Sequence, residues 1–119
     1  MEYPARKTLD DKEMFEEVVQ AILSVMGDDA LKIILYGSVA RGDNTWESDI
    51  DIAVLSKREY DWQEEDKLVL TLSSAGLKYD TLFSVIIIEE NDFNKWWQDF
   101  PFYGNINKDG IVLWNKKAA

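Results

Sequence analysis

The stretch from Leu31 to Leu55 restricts this chain more than any other part of it. A short β-rich run, Leu31-Lys32-Ile33-Ile34-Leu35-Tyr36, delivers the backbone to Gly37-Ser38. Residues Ser38 to Arg41 predict a short helical turn, Gly42-Asp43-Asn44 a loop, and Ser48 to Leu55 a second strand. That second strand opens with Asp49 and Asp51, two residues apart. Strand alternation puts both carboxylates on one face and Ile50, Ile52 and Val54 on the other.

A rise of about 3.3 Å per residue sets the two aspartate Cβ atoms about 6–7 Å apart. At that spacing two unscreened negative charges repel by about 2–3 kcal/mol at an effective dielectric near 20. A fold with no use for the pair gains by replacing one member. A divalent cation converts the repulsion into a chelate, and two carboxylates on one face can hold the metals of in-line phosphoryl or nucleotidyl transfer. Glycine at position 37 lets backbone approach a ligand with no Cβ in the way. Ser38, at a helix start, either caps free N–H groups or joins them in binding a phosphate oxygen. Arg41 is either a surface charge, a support for a triphosphate, or the partner of an aspartate.

Composition narrows the chemistry further. The chain has no cysteine and no histidine. Disulfides, thiolate zinc sites, histidine-ligated metals and histidine bases are therefore excluded, which leaves oxygen donors and with them Mg²⁺ or Mn²⁺. The formal charge is −10, from 23 acidic and 13 basic residues. Such a surface repels phosphate backbones and argues against stable binding of a long nucleic acid, though not against a nucleotide that arrives with its metal. The acidity either keeps the chain soluble or suits a basic protein partner. The N-terminal Met1 to Lys12 lacks a signal-peptide core, and runs such as Val85 to Ile88 are too short to span a bilayer. The expected location is cytoplasmic, with no membrane association.

The 119 residues suit a single domain, 1–119. A helical stripe covers Asp10 to Met26, with Met14, Phe15, Val18, Val19, Ile22, Leu23 and Met26 apolar and Gly27 as the stop. A second helix is expected over Tyr60 to Ala75, with Trp62, Leu68, Val69 and Leu72 inward and Gly76 ending it. Thr81 to Ile88 reads as a third strand, Asp92 to Phe100 as a helix broken by Pro101, Phe102 to Asn107 as a further turn or loop, and Ile111 to Trp114 as a last strand. Helices between strands imply an α+β, α/β-like fold: a small mixed or parallel sheet covered by helices. The late aromatics, Trp96, Trp97, Phe100, Phe102, Tyr103 and Trp114, are expected mostly in the core. Adjacent Trp96 and Trp97 cannot both point inward, which leaves one for an interface.

Gly37-Ser38, ten residues, then Asp49-Ile50-Asp51 resembles the Gly-Ser-x10-Asp-x-Asp signature of the DNA polymerase β-like nucleotidyltransferase superfamily. The longer string from Gly37 to Leu55, the apolar third strand, the Glu-Asn-Asp-Phe helix start, Pro101-Phe102 and Asp109 to Leu113 are similar to its minimal nucleotidyltransferase branch. The resemblance covers most of the chain from about Leu31. It implies the polymerase β-like nucleotidyltransferase fold, with Gly37 and Ser38 holding the nucleotide triphosphate and with Asp49 and Asp51 as catalytic residues holding Mg²⁺. It also implies an antitoxin paired with a HEPN-domain toxin, some of which are inactivated by transfer of AMP to a tyrosine.

The chain departs from the superfamily at one point. A third carboxylate usually stands on the strand after the long helix, and Thr81 to Ile88 contains none. Ser84 stands near the expected place, Glu89 is at the strand exit, and Asp80, at the entrance, is the candidate third catalytic acid. Asp80 shares the parity of Leu82, Ser84 and Ile86 but lies roughly 13 Å along the strand from Ser84.

The leading function is therefore metal-dependent transfer of AMP from ATP to a protein hydroxyl. The alternative is a nucleotide-binding antitoxin that neutralises its partner by contact with little catalysis. A small-molecule transferase is a weaker third reading, because it usually needs a second domain to enclose the acceptor.

Overall fold

Connection length decides how the strands pair. The structure, a computed structural model, describes residues 11–45 and 47–118. Asp10, where the sequence reading begins the first helix, and Trp46, in the spacer between Ser38 and Asp49, lie outside them. Helix α1 (Lys12–Met26) leads through a 3₁₀ turn into β1 (Ala30–Tyr36), followed by a five-residue α2 (Gly37–Arg41) and β2 (Ile50–Ser56). So short a helix cannot carry the chain across a sheet face, and β1 and β2 pair antiparallel. The 18-residue α3 (Trp62–Tyr79) is long enough for a crossover, and β2 pairs parallel with β3 (Phe83–Glu89). Then come α4 (Glu90–Trp96), α5 (Pro101–Asp109) and β4 (Ile111–Asn115), which pairs antiparallel with β1. The sheet order is β3-β2-β1-β4, the mixed sheet with helices expected from the sequence.

The two faces of this sheet are unequal. On one, α1 and α3 set Val18, Ile22, Leu68 and Leu72 against Ile33, Leu35, Ile50, Ile52 and Val54. On the other, α4 and α5 contribute Phe93 and Ile106 against Ile34, Ala53, Leu55 and Ile88. Alternation along β2 therefore sends Ile50, Ile52 and Val54 to the thick layer and Asp51 to the thinner one.

Several sequence expectations need correction. Gly76 does not end α3: the helix runs on to Tyr79 and is capped by Asp80 in the left-handed region, at φ 51°. Gly76 instead admits close backbone, because its carbonyl accepts from Thr81 N–H at 3.0 Å and a Cβ there would stand 2.8 Å from Thr81 O. Leu68 and Leu72 face inward, whereas Trp62 and Val69 are exposed. A helix packed on one side by β3 and α1 has room for only one apolar stripe, and the other faces water. Among the late aromatics, Trp96, Phe100 and Phe102 are exposed. Trp97 is half-buried against the core of the thinner layer, so of the adjacent pair Trp96 is the one turned outward. Pro101 opens α5 at its first turn, where its missing N–H costs no helix bond.

The C-terminal end of β2 is tied down by charge. Arg58 bonds Asp29 at 3.1 Å and Glu64 at 2.6 Å and stacks over the Tyr60 ring at 4.0 Å; the Tyr60 hydroxyl donates to Asp29 at 2.8 Å. Asp61 and Glu64 close a reciprocal cap on α3. Among the described residues no helix is long and apolar enough to cross a membrane.

Candidate active site

The site forms where β1 ends, α2 begins and β2 starts. Tyr36 is the last residue of β1 and the register partner of Asp51. Gly37 follows at φ 77°, a conformation that costs glycine little and other residues much. A Cβ at Gly37 would collide with Asp51 Oδ2 and sit 3.1 Å from its carboxyl carbon. The glycine thus leaves room for the Asp51 carboxylate itself, directly beside the turn that was read as a phosphate cradle.

Ser38 is half-buried inside α2, and no side chain caps the start of that helix. Its carbonyl accepts from Asp43 N–H at 3.1 Å and from Gly42 N–H, closing the turn. The capping role considered for the serine is not adopted. Arg41 Nε donates to Asp43 Oδ2 at 3.3 Å, so the aspartate it pairs with is Asp43.

Asp49 is exposed and lies one residue before β2, a strand that begins two residues later than the sequence reading set it. Ile50 N–H donates to Leu82 O at 2.9 Å and carries the parallel ladder up to that point. Asp51 is half-buried. Burial first, and the charge of Asp49 second, push its carboxyl above the ordinary range, while Arg41 pulls it down. Burial and the Asp51 charge push the Tyr36 phenol up to about 12, so it stays protonated at neutral pH. Tyr36 was not picked out from the sequence. Its signal was its place two residues after Ile34, on the parity that faces the thinner layer.

Across the parallel pair, Ser84 is the register partner of Asp51. Asp80 is exposed, lies three residues before β3 begins, and its N–H donates to Gly76 O as the cap of α3. Glu89, at the other end of β3, accepts from Asp92 N–H at 2.8 Å and caps α4. Phe102, on α5, meets Tyr36 edge-on with ring centres 5.8 Å apart. It belongs to an open cavity of about 500 Å³ lined by Asp92, Trp96, Phe100, Phe102 and Tyr103.

This arrangement fits a hard divalent cation. Two carboxylates feel each other's charge, the nearby guanidinium is engaged by Asp43, and the donors are all oxygen. Among the described residues no group of three or more acidic side chains comes together to hold a metal. Mg²⁺ bound by one or two carboxylates ordinarily completes its shell with substrate phosphates and water.

The chain thus sets a glycine turn beside an Asp-x-Asp at the start of β2, on a mixed sheet with helices on both faces. Residues 17–119 match the family described as "Polymerase beta, Nucleotidyltransferase", and the chain belongs to that family. It is similar to two candidate protein adenylyltransferases of Methanocaldococcus jannaschii. It is 34% identical to MJ0141 over 92 residues, 77% of this chain and 93% of the relative. It is 33% identical to MJ0604 over 106 residues, 89% of this chain and all of the relative. The fold is similar to a chain of a toxin–antitoxin crystal structure with AMP-PNP, at TM-score 0.62 and 23% identity, covering 87% of this chain and 75% of that one. It is also similar to a chain in the complex of the tri-AMPylated Shewanella oneidensis HEPN toxin with its MNT antitoxin, at TM-score 0.59 and 17% identity, covering 89% and 73%.

Proposed function

We propose that this nucleotidyltransferase transfers AMP from ATP to a hydroxyl of a protein partner, and that the partner is a HEPN-type toxin. The observation that carries the reading is the Asp51 carboxylate seated against Gly37, with the charge of Asp49, one residue before β2, acting on it. The similarity to candidate protein adenylyltransferases supports the choice of AMP and of a protein acceptor. The structural neighbours that pair an MNT antitoxin with a HEPN toxin support the choice of partner.

In this reading the backbone of Gly37 and the Ser38 hydroxyl hold the β- and γ-phosphates, with Arg41 adding positive charge beside them. Asp49 and Asp51 would hold Mg²⁺, which would polarise the α-phosphate and offset charge on the departing pyrophosphate. The acceptor hydroxyl oxygen attacks the α-phosphorus in line as its proton passes to solvent, the bond to the bridging oxygen breaks, and pyrophosphate leaves with that electron pair. Tyr36, kept protonated, adds no further negative charge beside Asp51.

A second reading is favoured by one observation: the residue across from Asp51 on β3 is Ser84, which cannot serve as a carboxylate base. The chain would then act chiefly by contact, with slow transfer. Labelled ATP, Mg²⁺ and the partner decide between them. Label on the partner that disappears with Asp51→Asn supports transfer. Inhibition of the toxin by an unlabelled complex, equal for wild type and Asp51→Asn, overturns it in favour of contact.

A further inference from the structure

The outer face of α3 carries a pattern that neither the core nor the nucleotide site uses. Trp62 is 69% exposed, Val69 47%, Leu70 71% and Leu77 86%. With Asp66 and Ser73, also exposed, they occupy positions 62, 66, 69, 70, 73 and 77 of one helix. At 3.6 residues per turn these positions form a single stripe. The buried residues Leu68, Leu72 and Ala75 lie on the opposite side of the same helix, against the sheet and α1.

The spacing along the stripe reads 4-3-1-3-4, the same in both directions. Two copies of α3 laid antiparallel about a two-fold axis between Val69 and Leu70 bring Trp62 against Leu77, Asp66 against Ser73, and Val69 against Leu70. Apolar meets apolar and polar meets polar at every step, and each contact occurs twice. That self-complementarity is what an isologous interface requires, and a heterologous partner imposes no such symmetry. The helix dipoles also oppose each other in this arrangement.

We infer that this face binds a second copy of the same chain through antiparallel α3–α3 packing. The four apolar side chains offer on the order of 500 Å² per copy, so a pair buries about 1,000 Å², the lower bound for a specific interface. The dimer is therefore reversible. It also joins two chains of charge −10, whose repulsion falls as salt rises. Self-association tightens with ionic strength, whereas docking of a basic protein on the same face weakens. Because α3 covers the sheet face opposite Asp51, both nucleotide sites stay open in the dimer.

Sedimentation equilibrium on the full chain at about 0.05 and 0.5 M NaCl tests the inference. Wild type is expected to form dimer at tens of micromolar, with more dimer at the higher salt. At 0.5 M NaCl, Ser73→Glu sets a carboxylate against Asp66 of the second copy at both ends and should weaken association at least tenfold. Adding Asp66→Lys to it creates two symmetric ion pairs and should restore the dimer. Asp66→Lys alone should not tighten association beyond wild type. Circular dichroism on each variant confirms that the helix content is kept. A wild-type mass that stays monomeric at all concentrations and both salts overturns the inference, and leaves the stripe to a different protein. A dimer that Ser73→Glu and the double variant affect equally overturns the antiparallel register.

Discussion

The two ends of β2 treat charge in opposite ways. At its C-terminal end, Asp29 and Glu64 each meet Arg58, and hydrogen bonds from Tyr60 and from Arg58 hold the two carboxyls below their ordinary range. At its N-terminal end, Asp51 is pushed above that range by burial and by Asp49, and Arg41, which pulls it down, is bonded to Asp43. The first end is a closed account of acids and bases that fixes where β2, α3 and the turn before β1 meet. The second is a carboxylate pair that the chain leaves under-compensated. In a folded protein such a deficit persists where an external cation or a ligand supplies the missing charge.

The largest effect that sharpens this contrast is expected at Asp51. Asp51→Asn should reduce transfer on the order of 10³-fold, about 4 kcal/mol of barrier, as loss of a preorganised electrostatic contact does. Calorimetry should show the Mg²⁺-dependent part of ATP binding gone. The same variant should melt higher than wild type at neutral pH, because the charge it removes opposes folding. Equal ATP affinity with and without Mg²⁺ in wild type, Asp49→Asn and Asp51→Asn would break the two-aspartate site.

Gly37→Ala comes next. The substituted residue must hold φ 77° and its methyl group must displace the Asp51 carboxylate. We expect a stability cost of about 1–3 kcal/mol from the backbone, together with a loss of triphosphate binding greater than that of Ser38→Ala. The serine change removes one hydrogen bond to a charged group, about 1.5–3 kcal/mol. Thermal melts and ATP titrations on both variants separate the two contributions. A folded Gly37→Ala that binds Mg·ATP like wild type would show that the turn has no part in the site.

At the opposite end, Arg58→Met should lower the melting temperature only slightly, as loss of an exposed ion-pair network does, and leave transfer unchanged. The pH dependence of stability should differ in sign between the ends. Asp29 and Glu64 are lowered, so their contribution is present above their unfolded values and is lost as pH falls through the lower, folded ones. Asp51 is raised, so its ionised form destabilises the fold above its folded value, and that penalty is relieved as pH falls below it. The melting advantage of Asp51→Asn should therefore shrink on acidification while the Arg58 network still contributes. An advantage that grows toward acid would reverse the sign assigned to Asp51.

The contrast also explains what could be read from the sequence. The geometry of the candidate site was legible because its logic is local: a strand, a glycine, a turn and two aspartates on one parity each follow from short-range geometry. The place of Ser84 was legible by the same alternation. Tyr36 beside Asp51 was not, since alternation gives the face of a residue and only sheet pairing gives its neighbour. The matched end was also hidden, because Asp29, Arg58 and Glu64 come together through three separate elements. Gly76 was misread as a helix stop because the true cap, Asp80, adopts the left-handed conformation usually left to glycine. Trp62 and Val69 were placed inward because an apolar residue on a helix signals burial whether or not a second face is in use.

The smallest effect is expected at the candidate third acid. Two-metal nucleotidyl transfer ordinarily uses another carboxylate to help deprotonate the acceptor, and general-base assistance is worth about 10²–10⁴-fold. The register sets Ser84 across from Asp51, and Asp80 lies four residues earlier, on the cap of α3 rather than in the ladder. A carboxylate reaches only a few ångströms from its backbone, so its help would require the start of β3 to move toward Asp51. Ser84→Asp should therefore raise the rate of transfer to the partner, provided Asp49 and Asp51 are intact, by restoring an acid at that position. Asp80→Asn should change the rate less than about twofold, well short of the factor a general base supplies. Both are measured with labelled ATP and the partner present, alongside calorimetry of Mg·ATP. A collapse of transfer in Asp80→Asn with nucleotide binding retained would make Asp80 the third acid, and would mean that the α3–β3 junction closes on the site when the acceptor arrives.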